Sequence, residues 1–303
     1  MRKPRECSQL TLAYRMKKSY ISYVMITPFM LFFLFFTVIP ILVAIVLSFT
    51  DFNLLNFPKL VWFDNYTRLI VGDKTFVTAL KNTLILSFIN GPVGYIAAFF
   101  LAWLINEMPS KLRVFMTLVF YAPSISGNVY FIWKFIFSGD SYGLINGWLM
   151  SLGVINEPVL WLSNTSTAMA VVIVVQLWTS LGVSFLAFIA GFQSVDSSQY
   201  EAAAIDGVRN RFEELWYVTI PNMKDMLLFG AVMQIANTFS VGSITDALTG
   251  GHMSVSGSTV TIVNHMNDYG SVRYEMGYAC AISVVLFALV YCSKKIIFRL
   301  LKW

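Results

Sequence analysis

Six apolar runs divide the chain, at about Tyr20–Ser48, Thr78–Ile105, Arg113–Phe137, Ala168–Phe192, Met226–Thr245 and Met276–Phe298. About 20 mostly apolar residues cross a bilayer as a helix, and every run reaches that length. Turn formers and charges fill the intervals 51–73, 138–164 and 246–275. The pattern predicts an all-α, polytopic membrane protein with six transmembrane helices. Pro28, Pro40, Pro92 and Pro123 fall inside the runs. Proline removes an intrahelical hydrogen bond and kinks a helix, and neighbouring helices can satisfy the freed carbonyl. Gly91-Pro92 is the expected kink. The first run far exceeds the ~7–15 apolar residues of a secretory signal, so it is expected to stay in the membrane.

Composition agrees with lipid as the solvent. Hydrophobic residues make up 57% of the chain and charged residues 12%, where a soluble domain carries about 25% charged. The basic residues are unevenly placed. The N-terminal tail holds Arg2, Lys3, Arg5, Arg15, Lys17 and Lys18. Lys111 and Arg113 follow the second run, Arg209, Arg211 and Lys224 follow the fourth, and Lys294, Lys295, Arg299 and Lys302 close the chain. Lysine and arginine concentrate on the cytoplasmic side of membrane proteins, which predicts cytoplasmic N- and C-termini. The net charge of +5 then reflects topology, and no nucleic-acid partner is expected. The chain divides into a basic tail, 1–19, and one transmembrane domain, 20–303, with a cytoplasmic loop at 194–222.

Several chemistries find no residues. Lys81, Lys134, Lys224, Asp225 and Glu275 sit at span ends, leaving no titrating group at the depth a proton-coupled carrier uses. No phosphate-binding G-x-x-x-x-G-K-[ST] loop and no H-E-x-x-H occur. Uphill transport would therefore draw its energy from another chain. Cys7, Cys280 and Cys292 have neither disulfide-framework nor zinc spacing. His252 and His265 read as loop residues without ligand partners. No catalytic residue, metal or cofactor is expected on this chain.

The interval between the fourth and fifth runs is the most informative. It reads Ser197-Ser198-Gln199-Tyr200-Glu201-Ala202-Ala203-Ala204-Ile205-Asp206-Gly207, and continues to Val218-Thr219-Ile220-Pro221. The pattern predicts a short helix capped by Asp196 or Ser197. Gly207 suits the left-handed position that ends such a helix. A second helix is broken or restarted by Pro221. Glu201 is expected near the first helix's N-terminus, where the macrodipole favours a carboxylate.

This stretch resembles the E-A-A-x-x-x-G signature of permeases in binding-protein-dependent ABC importers, carried here by Glu201, Ala202, Ala203 and Gly207. Val218, Ile220 and Pro221 resemble its distal I-x-L-P, after ten intervening residues, Val208 to Tyr217, where the signature has about nine. The resemblance implies a type I importer permease fold and a coupling element that docks on a cytoplasmic ATPase. Glu201, Ala202, Ala203, Asp206, Gly207 and Pro221 would carry that coupling. It further implies two ATPase copies holding ATP-Mg, a second six-span permease, an extracellular or periplasmic solute-binding protein and a multi-pass location in the cell membrane.

Other segments resemble the carbohydrate-uptake branch: Leu47-Ser48-Phe49-Thr50-Asp51, Phe63-Asp64-Asn65-Tyr66 (Phe63 replacing the usual glycine), Tyr142-Gly143-Leu144-Ile145-Asn146 and Leu248-Thr249-Gly250-Gly251. The last is similar to the type that includes the larger maltose permease and the first glycerol-phosphate permease. His252 and Met253 follow it where glycine and proline are common. By the same resemblance, a solute path would involve Ser126 and Asn128 of the third run. It would add Gln176, Trp178, Thr179 and Ser180 of the fourth, and Gln234, Asn237 and Thr238 of the fifth. These neutral groups and one aromatic ring suit a sugar, although small polar residues also join helices in membranes. Import of another solute such as glycerol phosphate, a secondary carrier or channel, and an intramembrane enzyme are the competing readings.

Overall fold

The computed structural model describes residues 19–126 and 129–300. The described residues are mostly helical, with one isolated antiparallel bridge between Thr50 and Leu60. The basic tail up to Lys18, Asn128 and Lys302 lie outside them.

Four helices are long and apolar enough to span a membrane: Tyr20–Leu47, Lys74–Asn106, Thr165–Ser194 and Met276–Arg299. These are spans 1, 2, 4 and 6. Two bent helix pairs reach that length only when each is taken together, and they are labelled span 3, Ser110–Ile125 with Tyr130–Ile136 at 89°, and span 5, Lys224–Phe239 with Ser243–Thr249 at 41°. The sequence suggested single helices in both places.

Local chemistry ends the first helix of span 3. Pro123 has no N–H to donate to the preceding turn. The Ser124 hydroxyl folds back on the Tyr121 carbonyl at 2.8 Å, and Ser126 is extended at φ −80°, ψ 105°. Gly91-Pro92, in contrast, lies within a helix unbroken from Lys74 to Asn106. Span 1 instead carries a π-turn at Leu34–Val38, directly before the turn that holds Pro40.

Spans 2, 4 and 5 pack most extensively on one another. Towards the 194–222 loop, Phe99, Phe185, Phe188 and Phe192 fill their interface with Leu215 and Met223. Phe188 meets the rings of Tyr95 and Phe99 edge-on, at 5.1 and 5.7 Å. Midway along span 2 the helices meet at Gly94. A Cβ there would stand 2.5 Å from Gln234 Nε2 and 2.8 Å from Ser180 Oγ. Without a hydrophobic drive in lipid, helix association relies on such close packing at small residues.

Asparagines pin the opposite end. Asn65 donates to the carbonyls of Ser48 and Thr50 at 2.9 and 2.8 Å, and Tyr66 meets the Ser48 hydroxyl at 2.7 Å. Asn146 is fully buried. Its amide donates to the carbonyls of Ser138, Asp140 and Val159 at 3.1, 3.1 and 3.0 Å. Its oxygen accepts from Val159 N–H at 3.2 Å and Trp161 Nε1 at 2.8 Å. The F-D-N-Y and Y-G-L-I-N segments therefore act as local braces.

The histidines are not the loop residues that the sequence suggested. His265 is buried on the helix Ile262–Asn267, with Nε2 2.8 Å from Asp73 Oδ2. Tyr278 donates its hydroxyl to the same oxygen at 2.8 Å. His252 stacks on His265 with ring centroids 5.9 Å apart. Asp73 also caps span 2 by accepting from Phe76 N–H at 2.9 Å. Burial pushes His265 below its ordinary pKa despite the adjacent carboxylate. Burial alone would raise the Asp73 carboxyl, but hydrogen bonds from Phe76, Tyr278 and His265 outweigh it and hold the group low. These partners lie 192 and 205 residues from Asp73, far beyond any local ligand spacing.

Candidate functional site at three helix breaks

Spans 3, 4 and 5 each lose their helical backbone beside one cavity. In span 4 the Gly182 N–H donates to the Ser180 carbonyl at 2.8 Å, and helix resumes at Val183. Span 5 repeats this: Gly242 N–H donates to the Ser240 carbonyl at 2.9 Å, and helix resumes at Ser243. Both breaks read Ser-x-Gly, and both close as three-residue turns. Span 3 breaks at Ser126. Ser126, Ser180, Gly182 and Ser240 all line a cavity of about 310 Å³. Irregular backbone is tolerated at membrane depth only where protein buries it or where it lines a wet cavity.

Of the residues anticipated for a solute path, Ser126, Gln176, Thr179, Ser180, Asn237 and Thr238 line this cavity. Asn128 is outside the described residues. Trp178 does not line it. Its ring meets Trp133 of span 3 edge-on at 5.2 Å, so it packs helices together. Gln234 is likewise internal, accepting from the Ser184 hydroxyl at 3.2 Å and donating to the Asn90 carbonyl at 3.2 Å. The aromatic groups in the wall are Tyr121 and Tyr130, on either side of the span 3 break. Their flanking of Pro123 and the paired Ser-x-Gly were readable signals. No lysine, arginine, histidine, aspartate or glutamate is among the lining residues.

The 194–222 loop folds largely as its sequence suggests. Asp196 caps the helix Ser197–Ile205 by accepting from Ser198 N–H at 3.1 Å. Gly207 has φ +98°. Gly207 N–H donates to Ala204 O at 3.3 Å and Val208 N–H to Ala203 O at 3.0 Å, the paired bonds of a Schellman ending. No residue of this helix is buried, and Ile205 is 87% exposed. Glu201 sits in the second turn, not the first, so the dipole, which fades within one turn, does not explain it.

The return segment runs through a helical turn Arg211–Glu214, a π-turn Leu215–Thr219 and a final turn Ile220–Asn222, with Pro221 at its start. A π-turn closes over one residue more than an α-turn, so the ten-residue interval is accommodated within the helix. Tyr200 and Thr219 join their hydroxyls at 2.9 Å, and Asn222 donates to Gln199 at 2.5 Å. Arg211 approaches Glu107 at 3.6 Å, and Phe212 packs on Trp103 at 5.1 Å. The loop is thus tied to the end of span 2.

This fold is shared with a chain of the bacterial alginate ABC transporter solved in complex with an alginate pentasaccharide-bound periplasmic protein. The TM-score is 0.76 at 23% identity, covering 97% of this chain and 99% of that one. No family model matches the chain, but curated relatives do. It is 31% identical over 286 residues to the probable ABC transporter permease protein YesP of Bacillus subtilis (strain 168), covering 93% of this chain and 91% of that protein. The chain therefore belongs to the permease proteins of ABC transporters and is an integral membrane protein. Further relatives have named solutes. The arabinooligosaccharides transport system permease protein AraP of B. subtilis (strain 168) is 29% identical, with 90% of this chain and 86% of that one covered. The lactose transport system permease protein LacF of Rhizobium radiobacter is 30% identical, with 72% and 74% covered.

Proposed function

We propose that the chain is one membrane-spanning half of a binding-protein-dependent importer, and that it passes a sugar or oligosaccharide through the cavity at the three breaks. The observation that carries this reading is the uncharged wall of hydroxyl, amide and tyrosine groups. Such groups pair with sugar hydroxyls, whereas a phosphate dianion calls for arginine or lysine. The solutes named for AraP and LacF support it.

In this reading residues 20–303 form one permease unit with both termini in the cytoplasm of a cell-membrane protein. The exposed Ser197–Ile205 helix docks on an ATPase through Glu201, Ala202, Ala203, Asp206 and Gly207, with Pro221 setting the return. A second six-span permease, two ATPase copies binding ATP-Mg and a solute-binding protein complete the assembly. The chain itself binds no cofactor and hydrolyses no ATP.

Reconstitution tests the assignment. The purified chain alone is expected to show no ATP turnover. With its second permease, two ATPase copies and the loaded binding protein, proteoliposomes are expected to accumulate labelled oligosaccharide and not glycerol 3-phosphate. ATP hydrolysis by the isolated chain, or preferential uptake of the phosphate, overturns it.

Orientation has its own test. In a cysteine-free background in intact cells, Asn164→Cys and Thr249→Cys are expected to react with an impermeant thiol reagent, and Arg209→Cys is not. The reverse pattern would invert the topology.

A further inference from the structure

Span 2 contributes no residue to the cavity wall, yet it controls one that does. Asn90, in the middle of Lys74–Asn106, is fully buried. Its Nδ2 donates to Gln176 Oε1 at 2.5 Å, and its backbone carbonyl accepts from Gln234 Nε2 at 3.2 Å. Gln176 is 2% exposed and lines the cavity. Its Nε2 and Asn90 Oδ1 have no partner among the described residues. A buried amide left unpaired costs free energy comparable to a lost hydrogen bond. A protein that keeps two such atoms beside a polar cavity holds donor and acceptor capacity in reserve.

We infer that Asn90 is the positioning residue of the solute site. By engaging the carbonyl end of the Gln176 side chain, it leaves the amide N–H₂ end, buried behind the wall in this structure, as the end that meets a solute oxygen when Gln176 turns toward the cavity. An unrestrained glutamine in this wall would rotate between presenting a donor and an acceptor. Asn90 removes that choice, so Gln176 selects for an acceptor: a hydroxyl, ring or glycosidic oxygen. Asn90 is itself held in place, because Gln234 binds its backbone from span 5 and Gly94, one turn on, lets spans 4 and 5 close against span 2. The inference rests on the proposed cavity function and goes one shell further out.

The test is a double-mutant cycle on the assembled transporter in nanodiscs, without binding protein. The probe is the labelled oligosaccharide that the cognate binding protein retains from a mixed hydrolysate of arabinan, starch and pectin. Gln176→Met and Asn90→Leu keep side-chain volume and remove the amides. Each is expected to raise the dissociation constant about tenfold, the worth of one well-made hydrogen bond. The double variant is expected to be no weaker than either single one, because Asn90 acts only through Gln176. A purely structural asparagine would give effects that multiply, together with a lower melting temperature in both backgrounds. Asn90→Ala, which adds no bulk, repeats the cycle should Asn90→Leu fail to assemble. Multiplicative effects, or a loss confined to Gln176→Met, overturn the positioning role and leave the cavity reading standing. No effect from either single variant, or no binding by the unchanged complex, sinks the cavity reading itself.

Discussion

Replacing Gly207 with leucine is expected to abolish uptake while leaving the chain in the membrane at normal abundance. Gly207 holds φ +98° as the residue that ends the Ser197–Ile205 helix. A branched L-residue there costs on the order of 1 kcal/mol or more and re-aims the chain that follows. The helix has no buried residue to hold it. Its position depends on that turn and on two side-chain bonds, from Tyr200 to Thr219 and from Asn222 to Gln199. A small local cost thus becomes a large displacement of the surface proposed to meet the ATPase. Glu201→Ala is expected to have the same outcome by removing the exposed carboxylate. Gly207→Asn is expected to keep part of the uptake, since asparagine tolerates positive φ better than other residues. Uptake and ATP hydrolysis measured together give the check. Full, coupled transport by Gly207→Leu would mean this loop is not the coupling element.

Asn146→Leu is expected to have the largest effect on stability, about 3–5 kcal/mol, the range of a broken buried network. Five hydrogen bonds converge on this one side chain and fix the segment from Ser138 to Trp161. Leucine fills the space and leaves buried carbonyls unpaired. Trp161→Phe removes only one of the five bonds, and about 1 kcal/mol is expected there. Unfolding of the two variants by detergent titration in bicelles compares them directly. Equal losses would overturn this, because the four bonds that Trp161→Phe leaves in place would then add nothing on their own.

The sequence made some of this architecture legible because the controlling forces are local. Six apolar runs gave four continuous helices of spanning length and two bent helix pairs, and Asp196 and Gly207 marked the ends of one helix through bonds made within a few residues. Failure came where two distant faces meet. Trp178 carries no sign that Trp133, 45 positions earlier, takes its ring. His265 gives no hint of Asp73. The resemblance pointed to Gln176 but not to Asn90, 86 residues away, whose reach depends on spans 2 and 4 touching at Gly94. At Pro92 the helix runs on without a break, because a helix packed on two neighbours can absorb a missing hydrogen bond. The serine-rich stretch after Pro123 had side chains ready to compete for the backbone, and there the helix ended.

The paired Ser-x-Gly turns have a consequence for how such a protein diversifies. At Gly182 the cavity wall is main chain, which a point mutation cannot delete. If the cavity is the solute path proposed above, side chains such as Thr179, Asn237 or Ser240 can be exchanged one at a time, while the main chain at Gly182 stays in the wall. On that reading a lineage can drift from one sugar to another with this part of the wall unchanged. The residues under the strictest selection would then be the two glycines and their serine partners, and the groups that touch the cargo would be free to vary.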